Sequence, residues 1–297
     1  MKKNWWYSDA YGVKWPLQLI AYGAVYFVAS GLTQIFLGNN LLPLLGGKSS
    51  DPGAIELLYN VEDIAGNIFI GMMLIIAYRI MNKKHSVSGM GFTRIRKREA
   101  GSLLAGLTIG MVSMSTVIAL LIMTGAASIE AAAPDMRILW SFAMLVTVGF
   151  FEETLTRGVL QHTLQDHCGT AAAILAPSLF FGLIHIGNPS LSLISMVNII
   201  LAGVFLALLT YVTESIYAAI GFHITWNFFQ GSIYGAPVSG NMISKSSVFV
   251  ENGKTGAADW IGGGAFGPEG TVYCTILYLI MIAVLMISAG KRRVLPG

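Results

Sequence analysis

Five ionisable side chains fall inside long apolar runs of this 297-residue chain: Glu152, Glu153, Arg157, His185 and His223. Each is expensive in hydrocarbon unless it pairs or faces a cavity. In the segment FFEETLTRGVL, residues 150–160, Glu153 and Arg157 are four apart and share a helix face, so they can pair within one helix. Glu152 is turned by about 100° from Glu153 and is left without that partner. A structural ion pair accounts for Glu153 and Arg157 and poorly for Glu152, which is free to face a cavity. In FFGLIHIGNP, residues 180–189, Phe181 stands one turn before His185 and can wall its imidazole. In GFHITWNFF, residues 221–229, His223 and Asn227 are four apart and share a face. A lone histidine in a span is more often a satisfied core group than a ligand. Two histidines, an asparagine and an unpaired glutamate on three helices are harder to read that way.

The set has the parts for hydrolysis. An ionised Glu152 could act as general base on a water, with its basicity raised by apolar surroundings. His185 could hold or polarise that water, and His223 with Asn227 could donate to a developing oxyanion. The same residues could ligate zinc through Glu152, His185 and His223, with a fourth position left for water. There is no H-E-x-x-H motif, no G-x-S-x-G elbow and no convincing Ser/Lys pair. Intramembrane Glu and His also make proton relays, so a proton-coupled transporter is one rival reading. No internal repeat of the transporter kind is evident. A non-catalytic membrane scaffold or immunity protein is the other rival.

The elements that must position these residues are membrane helices. Charged residues make up 11% of the chain and apolar residues 55%, against about 25% charged in soluble domains; that is too little to cover a water-facing surface. Eight runs approach or exceed the roughly 20 residues that cross a bilayer core: 15–38, 62–81, 101–127, 136–161, 171–187, 190–212, 215–234 and 271–290. Continuous runs favour helices over a barrel. The fifth is short and holds Pro177, where a kink is expected. Glu62, Asp63 and Arg79 fall at the ends of the second run. Trp5, Trp6, Tyr7, Tyr11 and Trp15 read as an interfacial aromatic cluster before the first span, which is too long for a signal-peptide core.

With eight spans, one side collects thirteen basic residues: Lys2, Lys3, Lys14, Arg79, Lys83, Lys84, Arg94, Arg96, Lys97, Arg98, Lys291, Arg292 and Arg293. The other has Lys48, Arg137, Lys245 and Lys254. The positive-inside rule places both termini in the cytoplasm. The net charge of +3 is therefore a topology signal and no nucleic-acid footprint. The basic connection 83–98 reads as a retention signal, with contact to anionic lipid as the alternative. Cys168 and Cys274 fall on opposite faces and read as small core-type residues that cannot bridge.

Three regions follow: 1–135 with three helices and the basic loop 82–100, a core at 136–234 with helices four to seven, and 235–297 with a glycine-rich loop and the last helix. The loop 235–270 carries GGGAFGPEG at 262–270 with Trp260, Phe266 and Pro268. It reads either as a packed cap over the outer mouth or as a flexible linker.

At Glu152-Glu153-x-x-x-Arg157, Phe181-x-x-x-His185 and His223-x-x-x-Asn227, the sequence resembles the CPBP family, the CAAX prenyl endopeptidases and bacteriocin-processing (ABI-type) membrane proteins. All three motifs match, and the resemblance covers roughly 136–234. It implies an all-α integral membrane protein of about eight transmembrane helices, bundled as in intramembrane proteases. By the same resemblance Glu152 is the base that activates water, with His185 beside it. His223 and Asn227 form the oxyanion pocket, and Glu153, Arg157 and Phe181 support the site. Members have been described as metalloproteases and as glutamate-type proteases; a metal-free mechanism is expected here, because only two histidines are available and Asn227 is a poor zinc ligand. The short N-terminus and glycine-rich loop look more like bacterial members, associated with peptide maturation, bacteriocin self-immunity or regulation. The expectation is an endopeptidase of a bacterial cytoplasmic membrane, acting on a membrane-associated peptide or protein, with no cofactor required.

Overall fold

The computed structural model describes residues 7–8, 12–41, 52–82, 87–244, 246–253 and 257–294. Trp5, Trp6, Tyr11 and Lys2, Lys3, Lys48, Lys83, Lys84, Lys245 and Lys254 lie outside the described residues. Two short strands, β1 (Tyr7–Ser8) and β2 (Gly12–Val13), pair antiparallel before the first helix. Helix α1 (Trp15–Thr33) has Pro16 in its first turn, where the missing N–H leaves no bond unmade, and it continues as a wider π-helical stretch to Leu41. Helix α2 (Pro52–Met81) begins ten residues before the expected span. Glu62 and Asp63 therefore lie inside it and not at its end; the carboxylates interrupt the apolar run without breaking the helix.

Helix α3 (Lys97–Met123) starts where Glu99 accepts hydrogen bonds from the Arg96 backbone (3.2 Å) and the Thr93 hydroxyl (3.1 Å), satisfying groups that a helix start leaves open. Strand β3 (Ala127–Ala131) follows. Helix α4 (Arg137–Glu153) passes into a π-helical stretch, Thr154–Gln161, and then α5 (His162–Ile184). Helix α6 (Leu193–Thr213) is capped by Ser192, whose hydroxyl accepts from Ser195 N–H. Helix α7 (Ile216–Phe228) is capped by Ser215 and ends in a π turn to Ile233. Strand β4 (Phe249–Gly253) pairs antiparallel with β3, Ala127 opposite Gly253 and Ala131 opposite Phe249. The last helix is α8 (Val272–Val294).

Six helical stretches among the described residues are long and apolar enough to cross a membrane: 15–39, 53–81, 97–123, 137–184, 193–213 and 272–290. The expected eight differ from this in two places. The fourth and fifth runs form one 48-residue helical path, broken at Gly169, whose φ of 81° and ψ of 174° are not helical. That break replaces the kink expected at Pro177, which keeps helical dihedrals. The seventh run gives only 13 α-helical residues, and most of them are buried inside the bundle. Around it, Ile20, Phe27, Ile80, Leu104, Met123 and Ile287 are exposed on the outside. An apolar exterior of this kind needs lipid to cover it.

The central helix α7 is held against α3 by glycines. A side chain at Gly106 would run into the Ala218 carbonyl, and one at Gly110 into the Phe222 carbonyl and the Thr225 hydroxyl. The two backbones thus touch through a G-x-x-x-G face, and Thr225 Oγ1 donates across the contact to the Leu107 carbonyl at 2.7 Å. Behind this crossing, Met114, Ile118, Phe205, Phe222, Trp226 and Tyr278 form the largest buried cluster. Gly12 bridges to Asn82, and Trp15 stacks on His167 at 6.4 Å. The start of α1 is thereby placed at the end of the bundle where α2 finishes and the basic connection begins.

Candidate active site

The chemistry-bearing residues come from α4, the tip of α5 and α7. Each helix meets the others because small or apolar residues bring it inward; Gly149, for instance, admits Ile224 of α7. Glu152, His185, His223 and Asn227 all line one cavity of about 260 Å³. Much of the remaining wall is apolar, including Met144, Val148, Phe151 and Leu206.

The adjacent glutamates have different surroundings. Glu153 is fully buried, and its Oε1 accepts from Arg157 Nη1 at 3.0 Å and from His223 Nδ1 at 2.8 Å. Arg157 is 1% exposed. It also donates to Thr156 Oγ1 (2.7 Å) and, through Nη2, to the Gly203 carbonyl (3.0 Å), and its guanidinium lies 4.9 Å over the Phe181 ring. The carboxylate charge is thus neutralised inside the protein, and the pair expected from the four-residue spacing is present. Glu152 keeps 17% of its side chain exposed. Its Oε2 is buried with no hydrogen-bond partner, 3.6 Å from His223 Nε2. That distance is an approach, beyond hydrogen-bond length.

The histidine tautomers follow from their neighbours. His185 Nδ1 lies 2.7 Å from the Phe181 carbonyl, which can only accept; Nδ1 carries the proton, and in the neutral ring Nε2 has a lone pair. His223 Nδ1 donates to the Glu153 carboxylate for the same reason. Phe181 walls both rings, at 4.7 Å from His185 and 6.1 Å from His223 between centroids. Asn227 is 7% exposed, and no side-chain hydrogen bond engages its amide among the described residues.

The arrangement departs from the expected one in one respect. His223, not His185, stands against Glu152, and both ring nitrogens of His223 face a glutamate. As for zinc, no three His, Cys, Asp or Glu side chains among the described residues are grouped closely enough to hold an ion. Glu152, His185 and His223 share a cavity wall without forming a ready ligand cluster.

Sequence reasoning missed Glu269, in the glycine-rich loop. Its carboxylate lines the same cavity and accepts from Trp226 Nε1 (3.0 Å), Gln230 Nε2 (3.3 Å), Ser239 N–H (2.6 Å) and Ser239 Oγ (2.9 Å). Asn198 donates to the Glu269 carbonyl at 2.7 Å, and Asn188 to the Ser239 carbonyl at 2.9 Å. Farther out, Ser244 donates to Glu56 (2.7 Å), and Ser246 Oγ accepts from Asp135 N–H (2.9 Å). Over its described residues the 235–270 segment is a packed cap, and Val238, Ser239 and Asn241 form part of the cavity wall. It sits at the C-terminal end of α3, opposite the basic connection. A glutamate in a glycine-rich loop reads as solvated in sequence; the nearby Trp260, Phe266 and Pro268 were the signal that the loop packs, and Phe266 is 2% exposed beside Phe181.

Residues 134–229 match the family described as type II CAAX prenyl endopeptidase Rce1-like. The match covers about a third of the chain and contains all three motifs, so it bears out the resemblance they carry. The matched family is one of proteases, that is, hydrolases of the CAAX prenyl endopeptidase type. No curated protein matches the chain.

Proposed function

We propose that the chain is an intramembrane endopeptidase in which Glu152 activates water against a peptide carbonyl. The observation that carries this reading is the contrast between neighbouring carboxylates: Glu153 is fully buried away from the cavity, with Oε1 held by Arg157 and His223 and Oε2 without a partner, whereas Glu152 lines the cavity, keeps 17% of its side chain exposed and has no ion pair with an arginine. A water held between Glu152 and the lone pair of His185 Nε2 gives up a proton to Glu152 as its oxygen attacks. The proton on Glu152 passes to the His223 Nε2 lone pair once their 3.6 Å approach closes to hydrogen-bond length. From there it is available to the departing amine, so the hydroxide adds to the carbonyl carbon and the proton leaves on nitrogen. The Asn227 amide donates to the oxyanion, where a fixed donor does most for the rate. Glu153 and Arg157 act on His223, holding its Nδ1–H in place.

The apolar wall suits a membrane-associated peptide or protein, and the basic end of the bundle suits the cytoplasmic face of a bacterial membrane. This reading routes no step through a metal. The test uses the purified full-length chain in detergent or proteoliposomes, with a farnesylated CAAX peptide and its unprenylated counterpart as probes. Glu152→Gln should lower the cleavage rate by about 10²–10⁴-fold, the usual contribution of a general base, with an unchanged melting temperature because no hydrogen bond to Oε2 is lost. A variant that cleaves as fast as the parent would overturn the assignment.

A further inference from the structure

Where the cap meets the tip of α5, the Glu152 cavity has a second polar wall, made by Asn188, Ser239, Asn241 and Glu269. Ser239 gathers the other three. Its carbonyl accepts from Asn188 Nδ2 at 2.9 Å and from Asn241 Nδ2 at 3.3 Å. Its N–H and its hydroxyl donate to Glu269 Oε2 at 2.6 Å and 2.9 Å. Ser239 is itself held at a φ of 47°, in the left-handed region that residues with a side chain rarely adopt. Such a conformation persists where the surrounding contacts over-determine it.

These bonds leave acceptors over. A carbonyl only accepts, so both asparagine amides are fixed with nitrogen towards Ser239, and their Oδ1 atoms remain. Glu269 Oε1 accepts from Trp226 Nε1 alone, and a carboxylate oxygen has two acceptor sites. No other described residue engages either Oδ1 or the second site on Oε1.

The wall also carries charge that nothing cancels. The donors on Glu269 are Trp226, Gln230 and Ser239, all neutral, so they fix the carboxylate without offsetting its charge. The described lining of the whole cavity holds a second carboxylate, Glu152, and no Lys or Arg. Arg157 does not line it and is bonded to Glu153. Away from bulk water a carboxylate attracts a cation strongly. Water can fill the open acceptor sites, but only a cation also cancels the charge.

Building on the endopeptidase reading of the same cavity, we propose that this wall binds the positively charged side chain of a lysine or arginine in the substrate peptide, close to the bond that is cleaved, and that Glu269 selects it. The ammonium or guanidinium donates to Glu269 Oε1 and to a neighbouring Oδ1, a charge-assisted contact of the stronger kind.

The test uses the purified full-length chain in detergent and an N-terminally palmitoylated, C-terminally amidated peptide series. The peptides differ in one residue, moved along an otherwise neutral sequence: lysine, its uncharged counterpart norleucine, or glutamate. Binding is read by fluorescence anisotropy and cleavage by mass spectrometry. At the favoured position lysine should bind at least about tenfold more tightly than norleucine, as for hydrogen bonds to a charged group, and glutamate most weakly. Glu269→Gln should cut the lysine-over-norleucine ratio severalfold, whereas a cap that had only loosened would weaken both peptides and keep the ratio. Asn241→Lys, at an exposed position, sets a competing cation in the wall; it should weaken the lysine peptide at least about tenfold and the norleucine peptide far less. Lysine-selective binding without cleavage of any peptide supports the cation site and overturns the endopeptidase reading. Cleavage with no preference for lysine at any position leaves that reading standing and overturns the cation site, as does a ratio that neither variant changes. Binding of no peptide overturns both.

Discussion

At the scale of single residues, the site separates charge that is fixed from charge that is available. The i, i+4 spacing of Glu153 and Arg157 was legible in the sequence, because a helix makes those two side chains neighbours. The third partner was not: His223 lies 70 positions away, and no periodicity announces that its Nδ1 will meet Glu153. That contact changes what His223 can do. A ring that donates to Glu153 and approaches Glu152 relays protons better than it stabilises an oxyanion, so that role falls mainly to Asn227. Its amide is buried, lines the cavity and has no structural hydrogen bond to lose. Asn227→Ala should therefore fold with an unchanged melting temperature and lower kcat by roughly 10²–10³-fold, as loss of one oxyanion donor does elsewhere, with KM little altered. The check is steady-state cleavage kinetics alongside thermal unfolding; a rise in KM at constant kcat would place Asn227 in ground-state binding instead.

At the scale of elements, the site depends on a helix too short to read as an ordinary span. The apolar run 215–234 was visible, but its burial was not, because hydropathy does not distinguish a helix wrapped in lipid from one wrapped in protein. The Gly106 and Gly110 pair was present as a motif and becomes meaningful only when the Ala218 and Phe222 carbonyls are seen against it. The π-helical stretch after Glu153 likewise left no mark in the residue pattern; such stretches are frequent at functional sites. The cap is the element whose alternatives the structure decides. Glu269 fastens it to α7 through Trp226, the residue next to Asn227, and to its own strap through Ser239. Glu269→Gln replaces one accepting oxygen by an N–H group facing donors. Hydrogen exchange at residues 238–241 should accelerate by at least tenfold, while the amides of α7 exchange as before; charge-assisted bonds of this kind are worth about 1.5–3 kcal/mol each. Unchanged exchange in the strap, measured by mass spectrometry on the full-length chain, would show that the cap is held by its apolar contacts instead.

At the scale of the whole molecule, the distribution of charge predicts the direction in which the bundle faces. Arg94, Arg96, Lys97 and Arg98 precede or open α3 at one end. The start of α1 reaches that same end through the Gly12–Asn82 bridge, and Ala289 of α8 reaches it at the wall of a second cavity. At the capped end the one basic residue among those described is Arg137, held by Asp135 at 2.6 Å and Glu56 at 3.2 Å; those contacts hold the Asp135 carboxyl down at about 2, ionised at any physiological pH. Arg98 is paired with Glu214 at 3.0 Å, but the end keeps its excess of basic residues; by the positive-inside rule such an end is expected on the cytoplasmic side, which would turn the cap outward. The two native cysteines report this without mutation. Cys168 is exposed beside the Gly169 break at the basic end, and Cys274 is fully buried at the start of α8. A membrane-impermeant maleimide added to spheroplasts should leave the protein unlabelled, and permeabilisation should give one label per chain, abolished by Cys168→Ser. Labelling of Cys168 in intact spheroplasts would invert the bundle, placing the Glu152 cavity and its peptide substrate on the cytoplasmic side.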